Sequence, residues 1–120
     1  MKVLAVPEVI DYLEELTTLL YEKEYFGFVE FAHNYVDDLI NDIKTNLPTK
    51  LKKHAPKRFQ KYGADIKYAS FKKNRQTTWY VFFEVYRENE EAIYVIKHIE
   101  NNHTAAQYLE PGYLPGRLKE

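Results

Sequence analysis

The chain contains no cysteine, which excludes disulfides and thiolate metal ligands and leaves packing as the source of stability. A reducing compartment suits such a sequence. No stretch approaches the ~18 consecutive apolar residues that a membrane-crossing helix needs. The opening run Met1-Lys2-Val3-Leu4-Ala5-Val6-Pro7 is too short for the core of a signal peptide. The sequence therefore predicts a cytoplasmic protein without membrane contact. P-loop, dinucleotide-binding and serine-hydrolase motifs are absent, as are internal repeats and low-complexity tracts. The 4 histidines are scattered without close acidic partners, which speaks against a zinc site. Neither a metal nor another cofactor is expected.

What the chain does have is aromatic residues and charge in blocks. Its 120 residues suit one domain with one core. With 45% hydrophobic and 29% charged residues the chain is expected to fold and not to be disordered. Aromatic residues make up 16%, led by 11 Tyr and 7 Phe. The net charge of -1 conceals segregation: residues 1–49 carry a net -7, residues 50–75 a net +9, and the remainder a net -3. A phosphate backbone would be drawn to the middle block. The same block would equally serve to neutralise acidic helices within the molecule, or to meet an acidic partner.

Residues 2–6 are β-prone, and Pro7 suits the first turn of a helix, where its missing N–H is no loss. Val9, Tyr12, Leu13, Leu16 and Leu20 then recur at spacings of three and four, giving one apolar stripe as far as about Tyr25. Gly27 marks a break. A second helix follows from Phe28, with Phe31, Ala32, Tyr35, Val36, Leu39, Ile40 and Ile43 on one face, and it stops at Leu47-Pro48. So short a connection predicts an antiparallel helical hairpin with an acidic outer face. Residues 49–63 read as a basic loop with a helical turn near 57–61. The period then changes to two. Residues 66–71, 77–87 and 92–99 read as strands, joined by hairpins at 72–76 and 87–91 that force antiparallel neighbours. In the middle strand Trp79, Val81, Phe83 and Val85 alternate with Tyr80, Phe82, Glu84 and Tyr86, so both faces should be covered. Residues 104–109 have room for one helical turn, and Pro111-Gly112 and Pro115-Gly116 indicate turns in a tail. The expected architecture is α+β: an N-terminal strand, a two-helix hairpin and a three-stranded antiparallel meander in one sheet. It makes one domain over residues 1–109, with a C-terminal tail at 110–120.

That order resembles the RelE/ParE superfamily of toxins from type II toxin-antitoxin systems. Two stretches carry the likeness. Trp79-Tyr80-Val81-Phe82-Phe83-Glu84-Val85-Tyr86 is similar to the family's central strand. Ile93-Tyr94-Val95-Ile96-Lys97-His98-Ile99, with Asn101-Asn102-His103-Thr104 and Ala106-Gln107-Tyr108-Leu109, resembles the last strand and tail of plasmid-stabilisation toxins of Bacteroidetes. The resemblance implies a toxin held inactive by an antitoxin that wraps the sheet or the helical hairpin. The activity it implies is either metal-independent cleavage of messenger RNA on the ribosome or non-nucleolytic inhibition of DNA gyrase. A domain that keeps the scaffold without toxicity is a third reading, and a homodimer is compatible with the sequence. Tyr108 matches the tyrosine that nucleolytic members carry near the C-terminus. The chain departs from them where Tyr80 stands in place of a usual arginine, at Asn101 or Asn102 in place of another, and in a pI near 6.4.

Metal-free RNA cleavage needs a base for the 2'-hydroxyl proton, cations for the charged phosphorane and an acid for the leaving oxygen. His98, His103 and Tyr108 are the catalytic candidates, and Lys72, Lys73, Arg75 and Lys97 the candidates for nucleic-acid contact. Strand alternation places Lys97 and His98 on opposite faces, with His98 beside Tyr94 and Ile96. Structural readings stand next to these: His98 as a half-buried hydrogen-bonded residue, His103 as part of an Asn-rich turn, Tyr108 as a tail anchor, and the hairpin-tip cations as a solvated loop. Trp79, Tyr80, Tyr86 and Arg87 interleave rings with a cation in a way that suits base stacking, although most aromatics in so aromatic a chain must be core.

Overall fold

The computed structural model describes residues 1–22 and 29–103. Its elements in order are β1 (Lys2–Ala5), α1 (Pro7–Glu22), α2 (Val29–Asn46), a 3-10 turn (Leu47–Thr49), β2 (Lys53–His54), a 3-10 helix (Lys57–Tyr62), β3 (Lys67–Lys72), β4 (Thr78–Glu88) and β5 (Glu91–Asn101). Tyr25, Gly27, Phe28, the 104–109 turn, Tyr108 and the 110–120 tail lie outside the described residues.

Pro7 opens α1 as its fixed φ allows, and the Val6 carbonyl accepts the N–H groups of Val9 and Ile10 at 3.0 and 3.1 Å. α2 runs to Asn46 and tightens into the 3-10 turn over Leu47–Thr49, because Pro48 has no N–H to continue the ladder. Both helices place their apolar stripes on the sheet, through Val9 and Leu16 from α1 and Val36, Leu39 and Ile43 from α2.

The sheet corrects the expected architecture. It has five strands in the order β1-β5-β4-β3-β2, and it is mixed: β1 runs parallel to β5, with Lys2 opposite Ile93 and Ala5 opposite Ile96, while the other pairs are antiparallel. The single N-terminal strand with a three-stranded meander is thus replaced by a five-stranded mixed sheet. The additional strand, Lys53–His54, pairs with Tyr68 and Lys67 of β3. Two residues inside a basic segment carry no alternation, so only the pairing reveals them. The parallel pairing of β1 with β5 joins strands separated in sequence by both helices and by β2, β3 and β4, a long connection of the kind that parallel neighbours need.

Two cores lie on the two faces of the sheet. Trp79, Val81 and Phe83 of β4 join Phe71, Tyr94, Ile96 and Ile99 beneath the helices. Tyr80 and Phe82 point the other way, where Tyr68, Ile66 and Phe59 complete a second cluster. This second face carries no helix from the hairpin. It is covered by the 3-10 helix, whose Phe59 is 1% exposed and stacks on Phe82 at 4.3 Å between centroids and 20° between planes. Burying a side chain of that size stabilises the fold by roughly 1.5–3 kcal/mol.

β5 contains a bulge. Phe82 faces His98 and the next residue, Phe83, faces Ile96, so Lys97 is the additional residue of its strand. Tyr94 and Ile96 lie in the helix-side core, whereas His98 packs on Phe82 and Phe59 of the opposite face. Lys97 reaches Glu84 and Tyr86, which follow Phe82 on its own side of β4. The expectation that Lys97 and His98 sit on opposite faces, with His98 beside Tyr94 and Ile96, is therefore overturned. One inserted residue shifts the alternation for the rest of the strand.

Candidate functional site

β1 covers β5 only as far as Ile96. Beyond that point the end of β5 borders two adjoining clefts that share Tyr12 and Asn101. The first, about 580 Å³, lies between α1, α2 and the tip of the β3–β4 hairpin, and Arg75, His103, Tyr35 and Trp79 line it. The second, about 670 Å³, is bordered by Tyr62, Lys97, His98, Glu100 and Glu8.

Asn102 assembles the first cleft. Its backbone N–H donates to the Thr78 carbonyl at 2.9 Å, its side-chain oxygen accepts from the Thr78 N–H at 3.0 Å, and its amide donates to the Gln76 carbonyl at 2.9 Å. These three bonds tie the end of β5 to the hairpin. The Asn101 side chain accepts the His103 N–H at 2.9 Å, a local turn of the kind asparagine favours. His103 is thereby held at the surface, in the cleft that Arg75 also lines. The turn reading of that segment is what the hydrogen bonds show: the asparagines shape the turn.

On the opposite wall, Trp79 Nε1 donates to the Tyr35 hydroxyl at 2.8 Å. Burial raises the Tyr35 pKa, opposed by that bond. Tyr12 is also raised, by burial first and then by the nearby charge of Glu100 and by Tyr35. Both tyrosines stay protonated at neutral pH and can donate a hydrogen bond to an anion in the cleft.

The second cleft is a set of paired groups. The His98 ring lies on Tyr62, 4.4 Å between centroids and 8° from parallel, and its Nε2 meets Glu100 Oε1 at 2.5 Å. Lys97 Nζ stands 3.6 Å from Glu84 Oε1. Glu84 also accepts the Tyr86 hydroxyl at 2.6 Å and the Asp65 N–H at 3.0 Å. Its pKa is held below the ordinary carboxylate value, chiefly by the Tyr86 hydroxyl, with Asp65 N–H and Lys97 adding to the effect against some burial. A Cβ at Gly63 would lie 2.4 Å from Glu84 Cδ, so a larger residue there forces this carboxylate to move.

The structure thus brings Arg75 and His103 into one cleft and Lys97 and His98 into its neighbour. Lys72 and Lys73 line neither cleft; Lys72 is exposed and Lys73 half-buried on the arm of the hairpin. Tyr108 lies outside the described residues. Tyr12, Tyr35, Tyr62 and Glu100 are cleft residues that sequence reasoning missed. Tyr12 and Tyr35 carry no separate signal, since they share the apolar stripes of their helices. Among the described residues no three His, Asp or Glu side chains converge to hold a metal ion, and no helix is long and apolar enough to cross a membrane. No protein-family model, curated protein or solved structure matches the chain.

Proposed function

We propose that this protein is the toxin of a two-protein toxin-antitoxin pair and that it cleaves messenger RNA on the ribosome without a metal. The observation that carries the reading is the meeting of Arg75 and His103 in one cleft. There His103 serves as the base for the 2'-hydroxyl proton, the 2'-oxygen bonds to phosphorus as the bond to the 5'-oxygen breaks, and the departing 5'-oxygen takes a proton from solvent. Arg75 and the protonated Tyr12 hydroxyl bind the oxygens of the phosphorane as charge builds on them. Tyr108 is the residue that the family resemblance names beside them. An apolar groove of about 800 Å³ between β1, α1 and α2, where Leu4 is 51% and Ile10 45% exposed, supports the expectation of an antitoxin. Contiguous apolar surface of this kind commonly marks a protein contact.

A second reading is a non-nucleolytic toxin directed at gyrase. It is favoured by the second cleft, where His98 and Lys97 are each engaged by a carboxylate of the protein's own and so are committed to internal pairs.

Inducing the protein alone, and together with the product of an adjoining reading frame, tests the proposal. Growth should stop in the first case and resume in the second, with incorporation of labelled methionine falling before that of labelled thymidine. A prior fall in thymidine incorporation, with gyrase-linked DNA breaks, favours the second reading. Unimpaired growth at high protein levels rejects both.

A further inference from the structure

β1 is the outer strand on its side of the sheet, and its open edge has a symmetry of its own. The Val6 N–H donates to the Ile96 carbonyl at 3.0 Å. Backbone groups alternate in direction along a strand, so those of Leu4 and Lys2 also point at β5. The N–H and C=O groups of Val3 and Ala5 therefore face outward, and among the described residues no strand and no backbone hydrogen bond meets them there. Leu4 stands between the two, 51% exposed. Natural sheets commonly blunt an edge with charge, proline or a bulge, and here Lys2, at one end, is the one charged residue of the strand. The opposite edge differs: β2 is two residues long, and its Lys53 and His54 are both exposed.

We propose that β1 is a homodimer interface, the outer edge of one copy pairing antiparallel with the outer edge of a second and joining two five-stranded sheets into one. The layout of the edge selects this occupant. An antiparallel ladder alternates residues that exchange both N–H···O=C bonds with residues that exchange none, and the latter bring their side chains closest. Outward groups at positions 3 and 5 fit a two-fold axis at position 4. Val3 of each copy then exchanges bonds with Ala5 of the other, and Leu4 faces Leu4. The one exposed apolar side chain of β1 thus meets its own counterpart, the self-complementarity that an isologous dimer needs. Charge agrees with this register. It sets Met1 against Pro7 of the other copy, so the N-terminal ammonium and Lys2 approach the exposed Glu8 at the start of that copy's α1, once at each end of the ladder. Within one copy the ammonium and Lys2 reach Glu91 at 3.5 and 3.9 Å in exposed pairs, which leaves them room for a second carboxylate. An unrelated strand would gain the backbone bonds alone, whereas the Leu4 and charge matches come from this chain's own sequence. The ladder is short, so the interface belongs to the small, reversible class below about 1,200 Å². It does not depend on the cleavage reading.

Sedimentation velocity of the full chain, over a concentration series into the high micromolar range, should show a reversible monomer–dimer equilibrium. Leu4→Lys and Leu4→Glu should each weaken it at least about 10-fold, because like charges then oppose one another across the axis. An equimolar mixture of the two variants should recover a heterodimer within about 2-fold of the wild-type affinity, which happens only where position 4 meets position 4. Circular dichroism of both variants should match the wild type, since the side chain is exposed. The absence of cysteine allows a second measurement. Facing Cα atoms about 4.5 Å apart lie in the range that a disulfide spans, so Leu4→Cys should give a covalent dimer on mild oxidation, at least about 10-fold faster than Leu51→Cys at a position 77% exposed. The proposal is overturned if the chain stays monomeric throughout, if the mixed charged variants stay monomeric, or if Leu4→Cys cross-links no faster than Leu51→Cys. It is equally overturned if the edge takes an extended segment of a different protein while the chain alone remains a monomer.

Discussion

Trp79 donates its indole N–H to the hydroxyl of Tyr35, 2.8 Å away, so the one tryptophan of the chain bonds the middle strand to the second helix. Trp79 is 1% exposed, while its acceptor Tyr35 is half-buried at the wall of the first cleft. The substitution Tyr35→Phe keeps the ring and removes the acceptor. It should cost about 1–3 kcal/mol, the penalty for leaving a buried donor unsatisfied. Urea unfolding measures this directly, and an unchanged midpoint would show that the bond contributes nothing.

Gly63 and Glu84 form a second linked pair, because any Cβ at position 63 enters the space of a carboxylate held by Tyr86 and Asp65. Gly63→Ala should destabilise by about 1–3 kcal/mol, as overpacking does. Adding Glu84→Ala should recover part of that loss, since the two residues are in contact and their effects do not add. Strict additivity in a double-mutant cycle would refute the contact.

The same carboxylate sets a pH dependence. Its pKa is lowered in the folded state, mainly by the Tyr86 hydroxyl, so the folded protein holds the charged form better than the unfolded chain does. The stabilisation is then fully present above the ordinary glutamate range and is lost as the pH falls through the lowered folded value. In a series of Tm measurements from pH 7 down to pH 3, the wild type should exceed Glu84→Gln at neutral pH, and the gap should close at the acid end. A gap that widens on acidification would reverse the assignment.

The β4–β5 hairpin closes with Asn89 at φ 52° and Glu90 at φ 67°, the left-handed pair that a two-residue hairpin turn of the primed type requires. Asparagine tolerates that region and glutamate does not. Glu90→Gly should therefore stabilise the protein by up to about 1 kcal/mol, the relief of strain exceeding the greater backbone entropy of glycine. Thermal unfolding would show a raised Tm; a lowered one would mean that the Glu90 side chain makes a contact worth more than the strain.

Much of this fold was legible in the residues themselves. The three- and four-residue spacings in α1 and α2 marked their buried stripes, and the alternation from Trp79 to Phe83 showed a strand covered on both faces, as both cores now demonstrate. Lys53–His54 was not legible, because two residues have no period. The bulge at Lys97 was not legible either, since an inserted residue shows only against its partner strand, and the error carried over to the side chains of Lys97 and His98. At the candidate site, Arg75 and His103 line one cleft because their segments adjoin the neighbouring strands β4 and β5, a convergence that the sequence left open. Tyr12 and Tyr35 were hidden among the apolar positions of their helices. The charge blocks were plain in the sequence, but a linear pattern does not tell which face of a sheet each block will occupy.

If Arg75 and His103 act together on RNA, message on purified ribosomes should be cut only when both are present. Ribosomes programmed with a defined message are incubated with the full chain, and new ends are mapped by primer extension. The wild type should produce discrete cuts. Arg75→Ala and His103→Ala should each slow cutting by at least about 100-fold, as loss of a general base or of transition-state charge stabilisation does, with Tm unchanged. Intact message at protein levels that arrest growth, or undiminished cutting by both variants, would rule out joint action of Arg75 and His103 on RNA.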